Sequence, residues 1–201
     1  ADQRPSELNT HSMFAAAEHG AAVVFATGRP LRWLDLLEVF TDVNPTVIAS
    51  NGAVTYDLRN HRVISDTPFP IDVITDVVND IASELPEAKF SLEEAQRCCV
   101  EPGFDRVDHG RPVTHQGPIH EFLTPDSRPV KMLVRTFGIP TEELFEIVDG
   151  LVDGRVSTTF SVQLDDGLVE LAPIGVSKGA ALSATAEQLG VCLLYTSPSP
   201  R

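Results

Sequence analysis

Ala21-Ala22-Val23-Val24-Phe25-Ala26-Thr27-Gly28-Arg29-Pro30 decides how the chain folds. Six apolar residues run without interruption, as in a parallel strand buried on both faces, and Thr27-Gly28-Arg29-Pro30 then stops it. Pro30 suits the first turn of a helix, where its missing N–H would have no partner and its φ is already set. Leu34, Leu37 and Phe40 give that helix an apolar side. Upstream, residues 6–19 read as a helix: Ser6 caps it, Met13, Phe14 and Ala17 share a face, and Gly20 ends it. Downstream, Thr46-Val47-Ile48-Ala49-Ser50 is a second strand stopped by Asn51-Gly52. Helix, strand, helix, strand is the order of a doubly wound parallel sheet, so the expected class is α/β with a Rossmann-like core.

After Gly52 the rhythm changes. Val54–Tyr56 and Arg62–Ile64 read as a hairpin joined through residues 57–60. Ile71, Ile74, Val78, Ile81 and Leu85 recur at intervals of three and four and predict a helix. Residues 101–129 are polar, carry Pro and His, and show little periodicity. Lys131–Phe137 reads as a strand, and Thr141 as the cap of a helix with Glu142 and Glu143 in its first turn. Thr158–Leu164 and Leu168–Leu171 are strand-like, with a turn at Asp165-Asp166-Gly167. Ser177 caps a last helix that carries Leu182, Ala186 and Leu189 and stops at Gly190. Residues 1–65 and 165–191 are thus expected to form the core, with 66–164 an inserted α+β unit. Residues 192–201 have no helical or strand logic and resemble translated cloning or adapter DNA.

Composition narrows the functional classes. Of 201 residues, 42% are hydrophobic and 22% charged, enough apolar material for a globular core. Fifteen Lys and Arg against 29 Asp and Glu leave a net charge of -14, which disfavours nucleic acid and anionic lipid as partners. No apolar run is long enough to span a bilayer, and no basic-then-apolar leader opens the chain. Cys98, Cys99 and Cys192 form no Cys-x-x-Cys pair, and buried thiols in a reducing, cytoplasmic compartment are expected. Oligomeric state leaves no mark in the sequence.

Three short motifs fall at strand or helix ends: Thr27-Gly28-Arg29, Asn51-Gly52-Ala53 and Lys178-Gly179. Ligands of open α/β sheets bind at the carboxyl ends of strands, so the first two share one rim. A hydroxyl, exposed backbone N–H groups and an ammonium suit a phosphoryl group. Taken singly, Thr27 is more often a turn residue than a ligand, Arg29 and Asn51 read equally as either, and Lys178 reads as a solvated side chain, though its charge opposes the dipole of the helix it opens.

Ala26-Thr27-Gly28-Arg29-Pro30, Ser50-Asn51-Gly52-Ala53 and Gly175-Val176-Ser177-Lys178-Gly179-Ala180-Ala181-Leu182, in that order, resemble the Cof-type branch of the haloacid dehalogenase-like hydrolases, over residues 6 to 191. The resemblance implies a magnesium-dependent phosphatase acting through an aspartyl-phosphate on a small phosphorylated metabolite such as a sugar phosphate. Thr27 and Lys178 match its catalytic positions, binding and neutralising the phosphoryl group. Gly28, Arg29, Asn51 and Gly52 match the substrate side, and residues 66–164 occupy the place of its C2 cap.

Two parts of the family pattern are expected and not matched. Asp-x-Asp-x-Thr, which supplies the nucleophile, should precede residues 6–19; Asp2 does not fit, because Arg4 stands where the second carboxylate belongs. Gly-Asp-x-x-Asn-Asp, which helps to hold magnesium, should follow Val191. The expectation is therefore an inactive, marginally stable fragment whose magnesium ligands lie elsewhere. Two alternatives remain: a relative that binds a phosphorylated ligand without cleaving it, and a zinc protein using Asp105, Asp108, His109, His115 and His120, whose spacing matches no zinc motif. The chain lacks Gly-x-x-x-x-Gly-Lys-Ser/Thr, which excludes a P-loop nucleotidase.

Overall fold

Ser6 starts the first helix as expected: its hydroxyl accepts from the Asn9 N–H at 3.2 Å, and α1 runs Glu7–Glu18. The computed structural model describes residues 5–104 and 113–191. Strands β1 (Val24–Ala26) and β2 (Thr46–Ala49) follow, then the hairpin β3 (Val54–Asp57) and β4 (Arg62–Asp66). Helix α2 is Ile71–Glu84, and strands β5 (Lys89–Glu93), β6 (Cys98–Val100), β7 (His115–Gln116) and β8 (Lys131–Arg135) come next. Helix α3 (Thr141–Val152), strands β9 (Ser157–Thr159) and β10 (Leu168–Ala172), and helix α4 (Lys178–Leu189) complete the order. The described residues divide into two units: residues 5–29, 34–65 and 176–191, and residues 30–33, 66–104 and 113–175.

In the first unit a four-stranded sheet is ordered β1-β2-β3-β4, with β1 parallel and β3 antiparallel to β2. Val47, Ile48, Ala49, Val54 and Leu58 are buried, and the Phe40 ring lies 5.1 Å from Phe25 and 6.4 Å from Phe14. Two local expectations need correction. The strand expected over 21–26 pairs only from Val24 and is half-buried, with Ala26 exposed, because β1 is an edge strand with a single described neighbour. The helix expected after Pro30 is two 3-10 segments, Leu31–Trp33 and Asp35–Val43, broken where the chain passes into the second unit and back.

The second unit is a six-stranded sheet, β7-β6-β5-β8-β10-β9, antiparallel except for β6 with β7. Ile74, Val77, Val78 and Ile81 of α2 and Leu144, Val148 and Val152 of α3 pack with Phe90, Leu92, Met132, Val134, Val169 and Leu171 into one core. Side chains alternate across a strand, so the adjacent Cys98 and Cys99 join different clusters. Both are buried and neither is in a disulfide, and burial pushes the Cys99 thiol up. The guanidinium of Arg32 donates to both oxygens of Glu93, at 3.1 and 2.8 Å, and the carboxylate is 1% exposed. Lys131, opposite Glu93 in the register, pairs with Glu170 at 2.6 Å.

Three more readings shift. Residues 168–172, expected in the core, pair with β8 and β9 and send Val169 and Leu171 under the helices, so this unit ends at Gly175 and not at 164. Thr141 is the first residue of α3, and Pro140 its cap; the Thr141 hydroxyl instead accepts from the Leu164 and Leu168 N–H groups at 3.1 and 3.3 Å. The strand expected to reach Leu164 ends at Thr159. Asp2, Arg4, Asp105, Asp108, His109 and Cys192 lie outside the described residues. No helix among the described residues is long and apolar enough to cross a membrane.

Candidate active site

The parallel register Val24↔Thr46, Phe25↔Val47, Ala26↔Ile48 brings the carboxyl ends of β1 and β2 level. Three backbone bonds then knit the two loops together. The Thr27 N–H donates to the Ile48 carbonyl at 2.8 Å, the Asn51 N–H to the Thr27 carbonyl at 3.1 Å, and the Ser50 N–H to the Arg29 carbonyl at 2.9 Å. The Thr27 hydroxyl accepts from the Arg29 N–H at 3.1 Å, a tight side-chain turn at the end of β1. Ser50 and Asn51 hold φ of 49° and 59°, left-handed values that cost a non-glycine residue about 1 to 2 kcal/mol. Such strain persists only where the surroundings over-determine it, and here both loops do so.

Helix α4 closes on this rim. The Ser177 hydroxyl accepts from the Ala180 N–H at 3.0 Å and caps it. Gly52, at φ 110°, lies so close that a Cβ there would stand 2.3 Å from the Ser177 carbonyl oxygen. At the first position of α4 the Lys178 ammonium donates to the Asn51 side-chain oxygen at 2.7 Å. That same oxygen lies 2.7 Å from where a Cβ of Gly28 would be, so a side chain at Gly28 would displace the Asn51 amide, while the backbone angle there makes no demand for glycine.

Of the residues singled out in the sequence, Thr27, Gly28, Asn51, Gly52 and Lys178 converge on one rim, although 127 positions separate Asn51 from Lys178. Arg29 joins them through its backbone N–H and carbonyl. Ser50, read only as the end of a strand, is buried and left-handed, and Ser-Asn-Gly after an apolar run is the signal that could have marked it. An ammonium, a helix N-terminus and turned backbone N–H groups give this rim a positive local field in an acidic chain, which attracts an anion.

Magnesium fits this donor set poorly. It takes carboxylate and other oxygen ligands, whereas residues 27–29, 50–53 and 177–180 contain no Asp or Glu, and no group of three His, Cys, Asp or Glu placed to hold a metal ion occurs among the described residues. Of the zinc candidates that are described, His115 and His120 are both exposed, and the His115 ring is tilted at 58° to that of Phe122, 6.2 Å away.

Open α/β sheets take their ligands at the carboxyl ends of neighbouring strands, which is where this rim lies, closed by a capped helix. The chain belongs to the haloacid dehalogenase-like hydrolases, a family of enzymes whose model matches residues 1–195. Solved structures share the fold. The phosphatase BT1666 of Bacteroides thetaiotaomicron is 22% identical with a TM-score of 0.76, over 96% of this chain and 68% of that one. The subclass IIB sugar phosphatase BT4131 is 16% identical with a TM-score of 0.76, over 96% and 72%. TM0651 of Thermotoga maritima is 22% identical with a TM-score of 0.72, over 93% and 69%. No curated protein matches the chain.

Proposed function

We propose that the rim built by Thr27, Gly28, Arg29, Asn51, Gly52 and Lys178 is the phosphoryl-binding part of a phosphatase for small phosphomonoesters. The observation that carries this is the meeting of Thr27, Asn51 and the Lys178 ammonium across two loops and a helix start. The Thr27 hydroxyl donates to a phosphoryl oxygen, backbone N–H groups at Gly28 and Gly52 bind others, and Lys178 offsets the charge that spreads over those oxygens during transfer. The family resemblance assigns the attack on phosphorus to an aspartate carboxylate, and magnesium to the same reaction. Neither an attacking carboxylate nor metal ligands belong to the rim residues named here.

Residues 66–175 take the role of a substrate-selecting cap, and a sugar phosphate is the substrate class, in line with the sugar phosphatase BT4131 among the structural relatives. A second reading, a protein that binds a phosphorylated ligand without cleaving it, is favoured by the same lack of a carboxylate at the rim. One experiment separates them: calorimetric titration with inorganic phosphate, beside p-nitrophenyl phosphate turnover with magnesium, for the wild type, T27V and K178A. Turnover lost in both variants supports the phosphatase. Binding without turnover supports the second reading, and neither binding nor turnover removes both.

A further inference from the structure

We infer that Asn51 is a positioning residue that acts through Lys178: its side-chain oxygen fixes the ammonium at the rim, and Gly28 keeps that oxygen in place. The inference rests on the phosphoryl-site reading above and assigns Asn51 a role other than substrate contact. Lys178 needs such a partner. Its four-carbon stem is flexible, and its charge is disfavoured at the first position of a helix, so the helix alone would turn it into solvent. The Asn51 oxygen lies 2.7 Å from the ammonium.

The backbone explains how the oxygen is aimed. Asn51 stands at φ 59°, ψ 19°, a conformation that Asn tolerates better than most residues, and its N–H is tied to the Thr27 carbonyl at 3.1 Å. Behind the oxygen lies Gly28, where a Cβ would come within 2.7 Å of it and 3.5 Å of the amide carbon. The acceptor is also neutral. A carboxylate at this place would hold the ammonium equally well but cancel the charge an anion needs, whereas an amide oxygen orients the charge and leaves it available.

The chain has three lysines, Lys89, Lys131 and Lys178, so ammonium signals in proton–nitrogen NMR at low temperature are few, and K178R assigns the one at issue. Lys131, paired with Glu170 in the second unit, serves as the internal standard. In N51G, which keeps the left-handed backbone, and in G28A, which displaces the amide, the Lys178 signal is expected to disappear while that of Lys131 persists. Phosphate affinity should fall about tenfold in each, as for one lost charge-assisted hydrogen bond, and no further when either is combined with K178A. N51D should keep the signal yet weaken phosphate binding at least as much.

Retention of the Lys178 signal in both N51G and G28A, or phosphate affinity within about twofold of wild type in both, would overturn the inference. Should N51G not fold, G28A and N51D decide alone. Unchanged phosphate binding in K178A removes the phosphoryl-site reading itself, an outcome that the ammonium spectrum does not depend on.

Discussion

Two glycines on one rim answer to different physics. Gly52 sits at φ 110° against the backbone of Ser177, so a Cβ there meets both a disfavoured backbone angle and an atom that cannot move without unseating α4. We expect G52A to lose about 3 kcal/mol of stability in urea unfolding. Gly28 meets only the tip of the Asn51 side chain, so G28A should cost under about 1 kcal/mol while moving that amide. Equal costs for the two would contradict the packing described at Gly52. The sequence singled out both glycines, but as bearers of exposed N–H groups. That Gly28 excludes a side chain because of Asn51, and that Asn51 grips Lys178, depends on a contact spanning 127 positions, which no local pattern encodes.

At the scale of elements, legibility followed burial. Helix α2 was readable because Ile74, Val78 and Ile81 recur with helical period and are fully buried. Strand β10 was found but assigned to the wrong unit, since an apolar strand of five residues carries no label for the sheet that it joins. Thr158–Leu164 alternates as a strand does, yet β9 ends at Thr159 and Val162 and Leu164 remain exposed. Thr141 was read as a cap from its type, whereas its hydroxyl serves the chain at Leu164 and Leu168. The β3–β4 turn permits a pH test. Hydrogen bonds from the Asn60 side chain and backbone, helped by Arg62, hold the Asp57 carboxyl below its ordinary value of 3.8. A depressed folded value means that this stabilisation is present above about pH 4 and fades as pH falls through the folded value. D57A should therefore melt below wild type at about pH 6, with the gap closing towards about pH 2. A gap that widens in acid would contradict the assignment. Glu93 offers the larger effect: with Arg32 bonded to both oxygens of a carboxylate 1% exposed, E93A removes a buried ion pair and should cost about 3 to 5 kcal/mol. A loss below about 1 kcal/mol in urea melts would show the pair to be solvated.

For the molecule as a whole, the two units differ in how much core they own. The second is built around one large cluster of buried residues from both its helices and most of its strands. In the first, α1 buries no residue, α4 buries only Thr185 and Ala186, and Leu8, Val39, Leu189 and Val191 are at least 44% exposed. Stability follows burial, so the first unit should open at lower free energy than the second. The single tryptophan gives this prediction a clean probe. Trp33 lies in Pro30–Trp33, which belongs to the second unit although residues of the first unit flank it in sequence, and the neighbouring Arg32 is anchored on Glu93. Circular dichroism reports helices of both units, whereas Trp33 fluorescence follows the second. On titration with urea the dichroism should therefore begin to fall first, with the Trp33 transition at higher denaturant, and the two curves should not superimpose. Hydrogen exchange should agree, fastest in α1 and slowest in β5 and β8, which lie inside the six-stranded sheet. The variant E93Q sharpens the test: with the anchor of Arg32 weakened, the Trp33 transition should shift towards the earlier one. Superimposed transitions with uniform exchange protection would mean that the chain unfolds as one cooperative body, and the separate stabilities argued here would be wrong.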